Sequence, residues 1–192
     1  VEVVDRTGTL LRAYTVADGR WRMAIRADQV DSDYIRMLVA YEDKRFYAHA
    51  GVDPRSMARA LWQALRNGRI ISGGSTLTMQ VARLLEDSGT GKVGGKLRQM
   101  RVALALERRL SKEEILALYL THAPFGGNLE GVRAASFAYF GKEPQRLTVA
   151  EAALLVALPQ SPEGRRPDRS VRARERAAAA RDRVVARGVS AG

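Results

Sequence analysis

Cysteine is absent from this chain of 192 residues, and histidine occurs only at His49 and His122. These absences exclude a disulfide framework and a thiolate zinc site, and they leave too few imidazoles for a histidine-rich metal centre. No apolar run reaches the roughly 18 residues of a membrane span, and no signal-peptide pattern is present. The chain opens on Val1 rather than Met, so an upstream segment, a membrane anchor included, stays open. Aromatic residues are scarce at 6%, which leaves alanine, leucine and valine to fill a core whose 46% hydrophobic content is ordinary for a globular protein. Acidic side chains are the minority charge, 21 against 32 lysines and arginines. The resulting net charge of +11 calls for an anionic partner: nucleic acid, a phospholipid surface or a phosphate-bearing substrate. The length suits one domain with room for a small second lobe.

What is present is organised around Tyr41–Gly51, YEDKRFYAHAG. Written as a helix, the segment leading into it aligns Ile35, Leu38, Val39 and Phe46 on one face. Glu42 falls on that face, four residues after Leu38 and four before Phe46. A carboxylate in an apolar stripe is costly to desolvate, so it must find a cation or hold its proton more tightly. A tightly held proton suits general acid/base chemistry. The plainer alternative is a helix-end glutamate paired with Lys44 or Arg45.

Residues 2–5 and 9–14 read as a hairpin around Arg6-Thr7-Gly8. Asp31 or Ser32 caps the helix that carries Glu42. Pro54 suits the first turn of the next helix, where residues 55–67 align Met57, Ala58, Leu61, Trp62 and Leu65 in a stripe expected to be core. In SGGSTLTMQVARLL, residues 72–85, Gly73 and Gly74 allow a close backbone approach and Ser75 or Thr76 caps a helix. A helix start offers N–H groups to a phosphate or carboxylate. Gln80 and Arg83, about one turn apart, put an amide and a cation on one face. An ordinary glycine-marked turn with a good cap accounts for the same residues. Residues 86–95, EDSGTGKVGG, read as a mobile polar loop. Its Gly-Thr-Gly-Lys is not an ATP site, since no glycine stands five positions before Gly91 and Val93 replaces the magnesium-binding Ser or Thr.

Residues 96–110 read as a basic helix with Lys96, Arg98, Arg101, Arg108 and Arg109, and with Val102, Leu104, Ala105 and Leu106 as partial core. Ser111 and Glu114 make a capping box ahead of ILALYL. Pro124–Asn128 reads as a loop and residues 129–139 as a helix aligning Val132, Ala135, Ser136 and Tyr139. Thr148 and Glu151 form a second capping box before AALLVAL, which is apolar nearly all round, hence central core, and is stopped by Pro159. The tail, 165–187, carries nine arginines against Asp168, Glu175 and Asp182. Its segment 170–187 reads as a helix that by default packs by its alanines and keeps a solvated basic face, with a membrane-surface element or a nucleic-acid contact as the alternatives. No aromatic side chain interleaves those arginines, which disfavours a nucleic-acid platform.

Taken in order, EDKRFYAHAG, GGSTLTMQ, the Lys96 helix, SKEEILALYL, FGGNLEGVRAASFAYFGK and LTVAEAALLVALPQSP resemble the blocks of the glycosyltransferase family 51 domain of class A penicillin-binding proteins. These are the peptidoglycan glycosyltransferases. The resemblance runs from about Val3 into the arginine-rich tail and is nearest to the penicillin-binding protein 1C branch. It implies a mainly α fold over 1–192: a lysozyme-like bilobal helical domain with a short N-terminal β-hairpin, a large lobe and a small mobile lobe near the membrane. It implies polymerisation of lipid II, a disaccharide-pentapeptide on undecaprenyl diphosphate, into β-1,4-linked strands with inversion at C1 of the donor MurNAc. Glu42 matches the catalytic glutamate, a general base toward the 4-hydroxyl of the acceptor GlcNAc. Asp43 matches its supporting neighbour. Ser75, Thr76 and Gln80 match the donor-side block, and Arg83, Lys96 and Arg98 match cations that would hold the diphosphate. For His49 a structural hydrogen bond is expected rather than chemistry.

The chain departs from the family's Arg-Lys-x-x-Glu run, reading Gly95-Lys96-Leu97-Arg98-Gln99. Gln99, in the place of the second catalytic glutamate, can hydrogen-bond to a diphosphate but can neither transfer a proton nor bind a cation as an anion. Met79, Ala117 and Thr121 also depart from the common residues. The resemblance implies no required cofactor and no dedicated metal site, with magnesium an aid in some members. Its implied partners are lipid II, the growing glycan strand, a membrane surface and other cell-wall synthesis proteins, with no nucleic acid. The implied location is the outer, periplasmic face of the bacterial cytoplasmic membrane. Two alternatives stay open: a lipid II-binding scaffold of weak or no activity, motivated by Gln99, and a lysozyme-like enzyme that cleaves glycan with Glu42 as its acid.

Overall fold

The computed structural model describes residues 2–68, 74–86 and 93–189. Two compact units make it up: Val1–Tyr41 together with Leu120–Gly192, and Glu42–Tyr119. Gly73 and residues 87–92 of the expected loop lie outside the described residues.

In the first unit, β1 (Glu2–Val4) and β2 (Leu10–Ala13) form the expected antiparallel hairpin. Asp5 builds its turn by accepting the backbone amides of Thr7 and Thr9, at 2.7 and 2.9 Å. A second sheet was not expected from the sequence. Here β3 (Trp21–Arg22) runs parallel to β5 (Leu129–Glu130), which pairs antiparallel with β4 (Pro124–Gly126). The segment read as a loop is therefore a hairpin. Gly126 and Gly127, at φ 105° and 58°, turn the chain where a side chain would be strained. The next helix, α6 (Val132–Phe140), starts later than residue 129 because β5 takes its first residues.

Capping decides the helices that follow. Thr148 and Glu151 close the capping box of α7 (Val149–Ala157), and Ala152, Ala153, Leu155, Val156 and Ala157 are buried. Along α7 lies α8 (Val171–Val189), which buries Ala173, Ala177, Ala180 and Val184 and leaves its arginines outward. The helix α1 (Ser32–Glu42) is capped by Asp31, whose Oδ1 accepts from Asp33 N at 2.9 Å and Tyr34 N at 3.4 Å. It ends at Glu42, so Phe46 lies beyond it, in a 3-10 turn over Phe46–Ala48.

The second unit holds α2 (Pro54–Asn67), α3 (Leu77–Glu86), α4 (Val93–Glu107) and the start of α5 (Lys112–His122). Asp53 caps α2 through Arg55 N at 3.1 Å with Pro54 in its first turn, and Ser111 with Glu114 caps α5. The α2 stripe is not core: Leu61, Trp62 and Leu65 are 63%, 58% and 77% exposed. On α4 the buried positions are Gln99 and Ala103, and Leu104, expected as core, is exposed. The α4 helix packs along α3, and Ala103 meets the backbone of Gly51.

That last contact fixes a residue type. Gly51 has φ +92°, and a Cβ there would sit 2.7 Å from the Ala103 carbonyl oxygen. Gly19 also has positive φ, +77°, but nothing lies within 4 Å of its Cβ position. Gly51→Ala is expected to destabilise by about 2 kcal/mol or more, combining left-handed strain with overpacking, whereas Gly19→Ala costs only the strain, about 1 kcal/mol. Urea unfolding of both variants checks the difference; equal losses would show that the Ala103 contact carries no weight.

Candidate active site

Glu42 is the last residue of α1 and is half-buried. Its Oε2 accepts a hydrogen bond from Gln80 Nε2 at 3.0 Å. Arg45, one of the two cations weighed as its partner, instead binds Asp53 Oδ1 at 2.9 Å. Lys44 is exposed.

Gln80 reaches Glu42 because the start of α3 is pinned at consecutive residues. The Thr76 hydroxyl accepts from Met79 N at 3.1 Å, as a helix cap, and donates to Gly51 O at 2.6 Å. The backbone N–H of Leu77 donates to Asp43 Oδ2 at 2.9 Å. That same oxygen accepts from His49 Nε2 at 2.9 Å. Gly51 N donates to His49 Nδ1 at 3.1 Å, so Nδ1 is the acceptor and the ring proton sits on Nε2. The imidazole orients Asp43, as expected of a structural histidine. Asp43 is only 8% exposed, and its charge lies at the positive end of α3.

This corrects one expectation. The first N–H groups of α3 are not open to a ligand phosphate at Leu77 and Met79, because Asp43 and Thr76 already hold them. Gly74 does allow a close approach, but to α2: its Cβ would lie 3.2 Å from Met57 Cα. Met79 is a core residue, 1% exposed.

Two cations lie together at α3 and α4. Lys96 Nζ donates to Ser75 Oγ. Burial, and next to it the charge of Arg83, hold the Lys96 ammonium below the usual lysine range. Arg83 is one turn beyond Gln80 on α3. Gln99, 6% exposed, shares the α4 face of Lys96. Thus Glu42, Asp43, Ser75, Thr76, Gln80, Arg83, Lys96 and Gln99 lie on the facing parts of α3, α4 and the Glu42–Gly51 segment. Arg98 does not join them; its side chain is 68% exposed and binds Glu86 at 3.0 Å.

Sequence reasoning missed a half-buried ion pair next to this cluster. Glu107 Oε1 accepts from Thr78 Oγ1 at 2.7 Å and from Lys112 Nζ at 2.6 Å. Lys112 Nζ also donates to His49 O at 2.7 Å and stands 4.6 Å from the centre of the Phe46 ring. The side chains of Glu107 and Lys112 are 7% and 17% exposed. The signal was available: Gln99, Ala103 and Glu107 follow one another at four-residue spacing on one helix face.

The arrangement offers a half-buried carboxylate that accepts from an amide, and two neighbouring cations with no carboxylate partner among the described residues. Such a site suits proton removal beside an anionic group.

The chain is 54% identical over 185 residues to penicillin-binding protein 1C of Escherichia coli K12, covering 96% of this chain and 24% of that protein. It is 39% identical over 187 residues to penicillin-binding protein 1A of Vibrio cholerae, covering 97% and 22%. The crystal structure of penicillin-binding protein 1A from Haemophilus influenzae aligns with a TM-score of 0.48 at 21% identity, over 88% of this chain and 15% of that one. The chain therefore spans about a quarter of the length of the curated relatives it matches. A family model described as transglycosylase matches residues 7–189, nearly the whole sequence, and the chain belongs to that family, the glycosyltransferase family 51 domains.

Proposed function

We propose that this chain is a peptidoglycan glycosyltransferase that polymerises lipid II into β-1,4-linked glycan and releases undecaprenyl diphosphate. The observation that carries the reading is the pair Arg83 and Lys96. Lys96 has a neutral hydroxyl for its partner, and the charge acting on it is a second cation. Two neighbouring cations that pair with no carboxylate among the described residues, one of them partly buried, favour a ligand that supplies negative charge. A diphosphate supplies it; finished glycan, the substrate of a lysozyme-like hydrolase, does not.

In this reading Glu42 takes the proton of the acceptor 4-hydroxyl as its oxygen attacks C1 of the donor MurNAc. The C1–O bond to the diphosphate breaks, and the α-linkage becomes β. Arg83 and Lys96 offset the charge that grows on the departing diphosphate. Gln80 holds Glu42 toward the reacting hydroxyl, and Asp43 keeps α3 in register as a positioning residue. Ser75 borders the donor side. Thr76, 2% exposed and bonded to Gly51 O and Met79 N, holds the start of α3 in place of the substrate contact expected of it. Gln99 offers its amide to the diphosphate or to water. Arg98 serves at the rim, where it can meet substrate only after leaving Glu86.

Among the described residues no group of three or more acids and imidazoles could hold a metal, and Gln99 brings no charge. The electrostatic work is assigned to the cationic side chains, with magnesium a possible aid. The exposed Leu61, Trp62 and Leu65 stripe, with Arg66 stacked 5.3 Å from the Trp62 ring centre, supports contact with an anionic bilayer. No helix among the described residues is long and apolar enough to cross a membrane. We assign the domain to the outer face of the bacterial cytoplasmic membrane, working with other cell-wall synthesis proteins.

With fluorescent lipid II and gel separation of products, the native chain should give polymer. Glu42→Gln should lose about 10²–10⁴ in rate, the usual contribution of a general base. Polymer at near-native rate from Glu42→Gln would overturn the assignment.

Lys96→Met tests the diphosphate clamp in a second way. At neutral pH the depressed pKa means that the charged lysine opposes folding, so removing it should leave Tm unchanged or raise it. Polymerisation should fall by about a hundredfold, as for loss of one preorganised donor. A fall in Tm with activity retained would reverse the assignment.

Gln99→Glu restores an anion beside Lys96 and should make the rate respond to added magnesium, while the native chain responds less. Identical magnesium profiles for both forms would remove Gln99 from the site.

A further inference from the structure

Away from that cluster, within the unit formed by Val1–Tyr41 and Leu120–Gly192, a cleft of about 280 Å³ opens between α8 and the turn that follows α7. Its lining is Ser161, Gly164, Arg165, Arg176, Ala179 and Arg183. Every charged residue in that wall is an arginine.

Three of the four nearby acids are committed elsewhere, and the fourth, Glu175, is exposed on α8 and forms no ion pair with Arg176 or Arg183. Asp168 binds Arg166 at 3.0 Å, Asp182 binds Arg181 at 2.7 Å, and Glu163 accepts from Gly127 N at 2.6 Å with Arg169 at 3.5 Å. Among the described residues, neither Arg176 nor Arg183 has a carboxylate within ion-pair distance. Arg165 is held by neutral acceptors, Ala157 O at 2.6 Å and Gln160 Oε1 at 3.2 Å, both met by Nη1. Its remaining guanidinium donors have no acceptor among the described residues.

The shape follows from small residues. Arg176 and Arg183 stand two turns apart on α8, with Ala179 between them, so a hollow rather than a side chain separates the two guanidiniums. On the facing wall Gly164 has no Cβ, and one placed there would lie 2.6 Å from Ser161 Oγ. The glycine therefore leaves the serine hydroxyl room in the cleft as a further donor. Arginine forks match the oxygens of a phosphate group, and three of them around one hollow repel each other until an anion is bound.

We propose that this cleft binds a phosphate group, carried either by a phospholipid headgroup or by a soluble phosphate ester, at a site separate from the Glu42 cluster. Arg165, Arg176 and Arg183 supply the charge and Ser161 a neutral hydrogen bond.

Calorimetry with the whole chain, using inorganic phosphate and pyrophosphate at fixed ionic strength, tests it. Arg176→Gln combined with Arg183→Gln should weaken binding about tenfold or more, as loss of charge-assisted hydrogen bonds requires. Both side chains are exposed, and an unchanged Tm checks that the fold persists. Lys96→Met should keep this binding. Phosphate binding that survives the double variant but disappears in Lys96→Met would place all of it at the Glu42 cluster and overturn the proposal. Equal binding of acetate and phosphate would also overturn it, since the match is to phosphate oxygens. Sedimentation with phosphatidylglycerol and phosphatidylcholine vesicles then names the source. Loss of phosphatidylglycerol binding in the double variant identifies a headgroup; vesicle binding equal to native, with phosphate binding lost, identifies a soluble ester.

Discussion

The Asp43 carboxylate is the joint on which the Glu42–Tyr119 unit depends. One of its oxygens receives both the His49 ring proton and the first N–H of α3. A buried carboxylate is stable only when hydrogen-bonded or paired, and these two donors, with the α3 dipole, meet that need. The consequence reaches Glu42. With α3 anchored at Leu77, Gln80 falls one turn later at 3.0 Å from the Glu42 carboxylate. The adjacent acids in the sequence thus divide their work: the buried one fixes the frame, and the half-buried one is left at the working edge.

The rest of the unit braces the same segment. Thr76 holds Gly51 O, Gly51 lies against Ala103, and the Glu107–Lys112 pair holds Thr78 and His49 O. Burying an ion pair is a weak source of net stability but a strong constraint on geometry, because removing either partner strands a charge. Glu107 and Lys112 are therefore read as positioning residues next to the cluster, opposite in role to Arg83 and Lys96. Among the described residues Glu107 and Lys112 are paired with each other, and Arg83 and Lys96 have no ion-pair partner.

Local signals in the sequence were reliable where the chemistry is local. The capping boxes at Ser111 and Thr148, the caps at Asp31 and Thr76, and the turn at Gly8 all depend on residues a few positions apart, and all have their expected form. Periodicity identified shared faces but not what each face meets. Leu61, Trp62 and Leu65 do share a face of α2, and that face is exposed. The same limit hid Glu107, whose face was marked by Gln99 and Ala103 but whose partners come from Thr78 and Lys112. The short strands around Phe125 escaped because their pairing with Trp21 spans most of the chain, and two-residue strands carry no alternation to read. Family blocks located the cluster more sharply than periodicity did, since they carry long-range information that spacing does not.

Gln99 shows how one face of α4 accommodates both demands. From Lys96 to Glu107 the face changes from an unmatched cation, through a buried neutral amide and the small Ala103, to a matched anion. A glutamate at position 99 would bring a second negative charge into a buried site and would draw Lys96 away from Ser75 and from the ligand. The amide avoids that pairing, so the cation stays available to a phosphate. On the proposed function, Arg83 and Lys96 would carry electrostatic work that an acid with a metal could share, and Gln99 would bear on how the charge of a leaving diphosphate is met rather than on the proton transfer at Glu42.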